Sequence, residues 1–262
     1  MLKDITLGQY FPTGSILHRL DPRLKIILVL AIIVVTFIAK TALDYGILFA
    51  FIIVIAAISK VPLIMYLKSL KPIIFLMIFT GLLNLFLTPG TVIWHWYFLN
   101  ATREGAVLGA YMLCRIVLLI MASSILTYTT SPLRLTSGLE SLMKPLKYIK
   151  FPSHEVAMMM TIALRFIPTI LEETEKIMKA QQVRGITFSE GGLIKRAKAL
   201  IPILIPLFIS SFRRADELAI AMESRCYNGG KGRTSLNAPH FRRVDVWASC
   251  ICILVLGCVC VL

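Results

Sequence analysis

The sequence predicts an all-α, polytopic membrane protein with about five transmembrane helices and long amphipathic helices on the cytoplasmic side. Three observations carry this. The chain is 57% hydrophobic with a mean hydropathy of +0.80, more apolar surface than a soluble core of 262 residues needs. Its apolar residues gather in runs close to the roughly 17–25 residues that cross a bilayer. Its formal net charge is nonetheless +14, with the cations collected in particular loops. A nucleic-acid binder would be basic but less apolar, and cations beside an anionic leaflet explain the charge without nucleic acid.

Five runs are candidate spans: residues 24–39 (LKIILVLAIIVVTFIA), 44–59 (DYGILFAFIIVIAAIS), 72–88 with Asn84 inside, 106–128 with Arg115 inside, and 244–262. The first 23 residues are mixed and polar and do not read as a signal peptide. Lys and Arg set the orientation. The N-terminal stretch carries Lys3, Arg19, Arg23 and Lys25, and Lys60, Lys68 and Lys71 follow the second span, whereas the opposite loops offer only Lys40 and Arg103. The N-terminus is therefore expected in the cytoplasm and the C-terminus outside. The segment "TVIWHWYFLN" reads as an aromatic belt at the outer interface. Arg115 is the one intramembrane charge, a functional candidate by default. It either faces a partner group on a neighbouring helix or snorkels.

Cys114, Cys250, Cys252, Cys258 and Cys260 fall inside spans. They read as small apolar residues, because thiolates in hydrocarbon are costly, so neither a disulfide framework nor a metal site is expected.

The chain divides into a transmembrane domain, residues 1–130 and 244–262, and a cytoplasmic helical domain, residues 131–243. Three helical segments make up the latter. The first follows Ser131 and Pro132, is amphipathic through Leu135, Leu139, Leu142 and Met143, and ends near Pro145. The second starts with Ser153 as N-cap and Glu155 in the first turn, carries Pro168, and runs to Arg184 with Gly185 beyond it. The third starts after Gly191 and Gly192, carries Pro202 and Pro206, and runs to about Arg225 before "YNGGKGR". Each rod is on the order of 45–50 Å long by helical rise. Their apolar halves read as interfacial or partner-facing, with "ALIPILIPLFISSF" open to a re-entrant path.

These two rods end alike. "KAQQVRG" puts Ala180 four residues before Arg184, and "IAMESRCY" puts Ala221 four residues before Arg225. Positions i and i+4 share a helix face. The alanine leaves a shallow step, and the arginine extends past the last turn with a planar fork of donors suited to a carboxylate. Serving only the helix dipole is the alternative. The chain holds no motor of its own: in "GGKGRT" the phosphate-loop pattern fails, with Arg225 where the first glycine belongs and Gly232 where Ser or Thr belongs.

From "GQYFPTGSILHRLDPRLKI" through "GLESLMKPLK", "PSHEVAMMMTIALRFIPTI", "AQQVRG", "KRAKALIPILIPLF" and "RRADELAIAMESRCY", the chain resembles the T-component (EcfT/CbiQ) family of energy-coupling-factor transporters. The resemblance covers nearly the whole chain and fits the shared, vitamin-type members better than the cobalt-type ones. It implies a membrane subunit of an ABC importer, with no catalytic residues and no cofactor, ATP being bound by partners. It implies that Ala180, Arg184 and Gly185, and Ala221 and Arg225, dock into two ATP-binding cassette subunits. Cys226 stands where the family often has glycine. An interchangeable, membrane-embedded substrate-binding S component is implied as a further partner, and Leu139, Leu142, Met143, Met158, Met159 and Ile162 are the surface expected for it.

Two rivals are weaker. A metalloprotease would need E-E-x-x-x-R or H-E-x-x-H, but position 177 is Ile after "EET" and position 158 is Met in "HEVAM". A self-contained channel would leave the two matching rods unexplained.

Overall fold

The structure is a computed structural model and describes residues 10–96, 99–149, 151–186, 192–229 and 241–261. Lys3, Gly191, Gly232, His240 and the remainder of "GGKGRT" after Gly229 lie outside the described residues. The helices are α1 (Ile16–Arg19), α2 (Pro22–Ile38), α3 (Ala42–Ser59), α4 (Leu63–Leu70), α5 (Ile74–Leu87), α6 (Arg103–Thr129), α7 (Pro132–Met143), α8 (Ser153–Val183), α9 (Leu193–Glu223) and α10 (Arg243–Val261). Between α5 and α6 stands one antiparallel hairpin of β1 (Val92–Trp96) and β2 (Leu99–Thr102). The sequence reading placed an aromatic belt there and no strands. Alternating β-branched and aromatic residues favour the extended chain at this point.

Among the described residues, five helical stretches are long and apolar enough to cross a membrane: Ala42–Ser59, Leu63–Leu87, Arg103–Thr129, Ser153–Val183 and Arg243–Val261. Four correspond to predicted spans. The predicted span over residues 24–39 is α2, a 17-residue helix that begins at Pro22 with Asp21 as its cap. The fifth, α8, is the expected second rod, a single helix of 31 residues that carries Pro168; its length and composition reach those of a span although its apolar half is expected to be interfacial or partner-facing.

The described residues form two compact units, residues 10–138 with 241–261, and residues 139–229. In the first, each main helix contributes one stripe at helical spacing: Ile32 and Val35 from α2 with Ala39 at its C-cap, Leu48, Ile52 and Ala56 from α3, Leu118, Ala122 and Ile125 from α6, and Cys252, Leu256 and Val259 from α10. Helix α6 packs on α2, α3, α4 and α5, and α10 packs on α2 and α3. The opposite faces stay apolar and exposed, as at Leu30, Val34 and Phe37, which suits contact with lipid.

Helices α5 and α6 approach closely through glycine. A Cβ on Gly105 would lie 2.4 Å from the Asn84 carbonyl oxygen, and one on Gly109 would lie 3.5 Å from that of Gly81. Gly105 and Gly109 form a G-x-x-x-G step, the device that lets membrane helices pack in the absence of a hydrophobic drive.

Several buried polar groups at one end of this unit are paired. Lys25 Nζ donates to the Thr129 carbonyl at 2.9 Å and to Thr130 Oγ1 at 3.0 Å. Asp245 accepts from the backbone N–H of Asp21 at 2.9 Å and of Arg242 at 2.7 Å. His18 Nε2 lies 2.7 Å from the Phe11 carbonyl, which can only accept, so Nε2 carries the proton and Nδ1 accepts from Ser15 Oγ at 2.7 Å. Burial pulls its pKa below the ordinary histidine value; the Phe11 carbonyl opposes that, and the charges of Lys25 and Arg134 add to it.

In the second unit, α8 and α9 run antiparallel. Glu173 of α8 binds Arg214 of α9 at 2.8 Å and accepts from Ser210. Further along, Gln181 Nε2 donates to the Pro202 carbonyl at 3.4 Å. That carbonyl lacks its usual helical partner, because residue 206, four positions on, is proline and has no N–H. Gln181 therefore fills a vacancy that the α9 sequence creates.

Candidate docking site at the ends of the two long helices

The ends of α8 and α9 are built by the same backbone pattern. At α8 the N–H of Gly185 bonds to the Gln182 carbonyl at 3.0 Å, and that of Ile186 to the Gln181 carbonyl at 3.1 Å. At α9 the N–H of Cys226 bonds to the Glu223 carbonyl at 2.9 Å, and that of Tyr227 to the Met222 carbonyl at 3.1 Å. Both are Schellman closures, with a 6→1 bond around a 5→2 bond. Both need a left-handed residue, and they have Gly185 at φ 88° and Cys226 at φ 56°. Arg184 and Arg225 each precede that residue and so hold the same place in the two closures.

The regular helices stop at Val183 and Glu223, and each arginine lies in the closing turn just beyond. The expected start of α8 is corrected. The N-cap is Pro152, whose carbonyl accepts from the N–H of Val156 at 3.0 Å. Ser153 is drawn into the first turn by its own N–H bond to the Phe151 carbonyl at 2.9 Å and makes no side-chain cap.

Arg184 and Arg225 are both exposed, as is Ala180, while Ala221 is half-buried. Among the described residues neither guanidinium has a hydrogen-bond or ion-pair partner. Exposed Val183 lies beside the first arginine and exposed Ile220 on the last turn of α9. The antiparallel packing sets the two ends apart: Gly229, just past the α9 closure, lies beside Glu155 in the first turn of α8. The arginines therefore sit roughly one helix length apart, on the order of 40 Å.

The remaining expected residues are placed differently. Leu139, Leu142, Met143, Met158 and Ile162 are half-buried, and only Met159 is openly exposed. The larger open apolar face belongs to α9, where Ile201, Leu204, Ile205, Phe208, Ile209 and Phe212 are exposed. The signal for it was available in the spacing of "LIPILIPLFISSF", which puts apolar residues on the outer face. His154 pairs with Glu140 at 3.0 Å instead of belonging to a protease motif. Arg115 bonds Tyr45 Oη at 2.9 Å.

Several membrane-length helices define a multi-pass membrane protein, and its antiparallel pair of rods ends in matched, open, basic turns. The family model for CbiQ, described as a cobalt transport protein, matches residues 13–236. The chain is 56% identical over 245 residues to the energy-coupling factor transporter transmembrane protein EcfT of Acidaminococcus fermentans, covering 94% of this chain and 91% of that one. It is 52% identical over 264 residues to EcfT of Clostridium kluyveri, covering 100% and 97%. It is 45% identical over 235 residues to EcfT of Bacillus subtilis, covering 89% of each. The chain belongs to the CbiQ/EcfT family, the transmembrane components of energy-coupling-factor transporters.

Proposed function

We propose that the chain is the energy-coupling subunit of an importer, joining two ABC ATPase subunits to a membrane-embedded S component that carries a vitamin or similar micronutrient. The observation that supports this best is the pair of matching Schellman closures, each presenting an arginine that has no partner among the described residues. Two equal ends a helix length apart suit two similar grooves on a dimeric motor. Each guanidinium would pair an acidic side chain in its groove, with Ala180 or Ala221 allowing close approach and Gly185 or Cys226 turning the chain away.

Closure of the ATPase dimer on ATP would draw the two ends together. The Glu173–Arg214 pair and the Gln181–Pro202 bond tie α8 to α9, so the rods would move as linked levers. The exposed apolar face of α9, together with Met159, would transmit that movement to the S component and topple it. ATP is held by the partners, and the chain needs no cofactor of its own. A cytoplasmic N-terminus and a C-terminus outside the cell membrane belong to this reading, which the cation distribution supports.

The test is reconstitution in liposomes. The chain with both ATPases and an S component should drive ATP-dependent uptake, and omission of the ATPases should abolish it. Uptake by the chain alone would favour a self-contained channel.

A further inference from the structure

The guanidinium of Arg115 lies deep in α6, about 18 Å from the start of that helix by its rise. Its Nη2 donates to Tyr45 Oη at 2.9 Å, and the Phe37 ring lies 5.4 Å from its Cζ. Nη1 has only the Met112 sulfur, at 3.9 Å, and buried Nε has no hydrogen-bond partner. Among the described residues no carboxylate reaches it. Asp44, next to Tyr45, is engaged by the backbone N–H groups of Lys40 and Thr41, and Glu104 by Thr91.

A full charge with one oxygen acceptor is costly at this depth. The hydrocarbon half-thickness is about 15 Å, so a lipid phosphate does not reach the middle of a bilayer without deforming it. Apolar side chains stand nearby: Met112 lies on the same side of α6, and Val34 and Phe37 of α2 are exposed. We propose that Arg115, steered by Tyr45 and Phe37, is an intramembrane anchor for the transmembrane helix of a second protein that carries a carboxylate near mid-depth. Apolar contact with Met112, Val34 and Phe37 would supply the packing, and the free donors the specificity. This site is independent of the docking assigned to Arg184 and Arg225.

The probe is a single-span Leu/Ala peptide with one central Glu, compared with central Gln and Leu versions. Binding to the full chain in zwitterionic and in anionic vesicles is read by fluorescence transfer. The Glu peptide should bind the unaltered chain at least tenfold more tightly than the Leu peptide in both lipids. That preference should vanish in Arg115→Gln and persist in part in Arg115→Lys. Equal binding of all three peptides, or a Glu preference retained in Arg115→Gln, overturns the proposal. A preference seen only in zwitterionic vesicles also overturns it, because an anionic headgroup would then be the occupant. If Arg115→Gln does not fold, the comparison of Glu and Leu peptides on the unaltered chain still decides.

Discussion

Cys226 holds at the end of α9 the left-handed backbone position that Gly185 holds at the end of α8, with φ 56° against 88°. A residue with a Cβ pays on the order of 1 kcal/mol or more for that conformation, whereas glycine does not. The 6→1 bond forms at the same length in both, from Ile186 to Gln181 and from Tyr227 to Met222 at 3.1 Å. The second end thus has the geometry of the first and carries more strain.

Cys226→Gly should therefore tighten the α9 terminus by about 1 kcal/mol. Gly185→Ala should loosen the α8 terminus by a similar amount. Hydrogen exchange at the Tyr227 and Ile186 amides reads both: slower at Tyr227 in the first variant, faster at Ile186 in the second. Unchanged exchange in both would remove the role given to the left-handed residue.

Gly105→Ala should destabilise the membrane unit by 2 kcal/mol or more, on the order expected for overpacking, because its new methyl would meet the Asn84 carbonyl 2.4 Å away. Gly257, which has open space around it, is the control. Thermal unfolding in detergent should show a clear drop for Gly105→Ala and little for Gly257→Ala.

The tie between the rods should divide unevenly. The Glu173–Arg214 pair is partly exposed, at 23% and 35%, so a double-mutant cycle should give no more than about 1 kcal/mol, falling with salt. Gln181→Ala leaves the Pro202 carbonyl unpaired where Pro206 supplies no N–H, and should cost about 1–2 kcal/mol independent of salt. A salt-sensitive Gln181 effect would contradict this.

His18 gives a pH signature. Its folded pKa is below the ordinary value near 6.5, so the unfolded chain takes up its proton first. Its contribution is fully present above about pH 6.5 and is lost as the pH falls through the folded value. Stability measured from pH 7.5 downward should fall, and His18→Gln should flatten that slope. An equal slope in the variant would place the titration elsewhere.

Much of this was legible in sequence. The span pattern over residues 44–59, 72–88, 106–128 and 244–262 became helices because length and continuous apolarity leave few alternatives. The two rods followed from 3.6-residue spacing bounded by Gly185 and Gly192. The paired A-x-x-x-R steps pointed to both ends, and the structure added why they match. Ser153 misled because a serine before an apolar run reads as a cap, and only the bond of its N–H to Phe151 shows the helix starting earlier. The hairpin at residues 92–102 was missed because aromatic residues signal both a membrane interface and a strand. The α9 face was missed in detail because exposure is a tertiary property: the same periodicity marks a core face and an open one. Tyr45 as the partner of Arg115 had no local signal, since 70 residues separate them.

The most direct measurement is association of the full chain with its ABC ATPase subunits in detergent or nanodiscs, compared for Arg184→Ala, Arg225→Ala and the double variant. Each single change should weaken assembly by about 2 kcal/mol or more, some thirtyfold, and the double change should remove both assembly and ATP-driven uptake while the helical content stays unaltered. A double variant that assembles and transports at the normal rate would show that these two helix ends are not where the motor attaches.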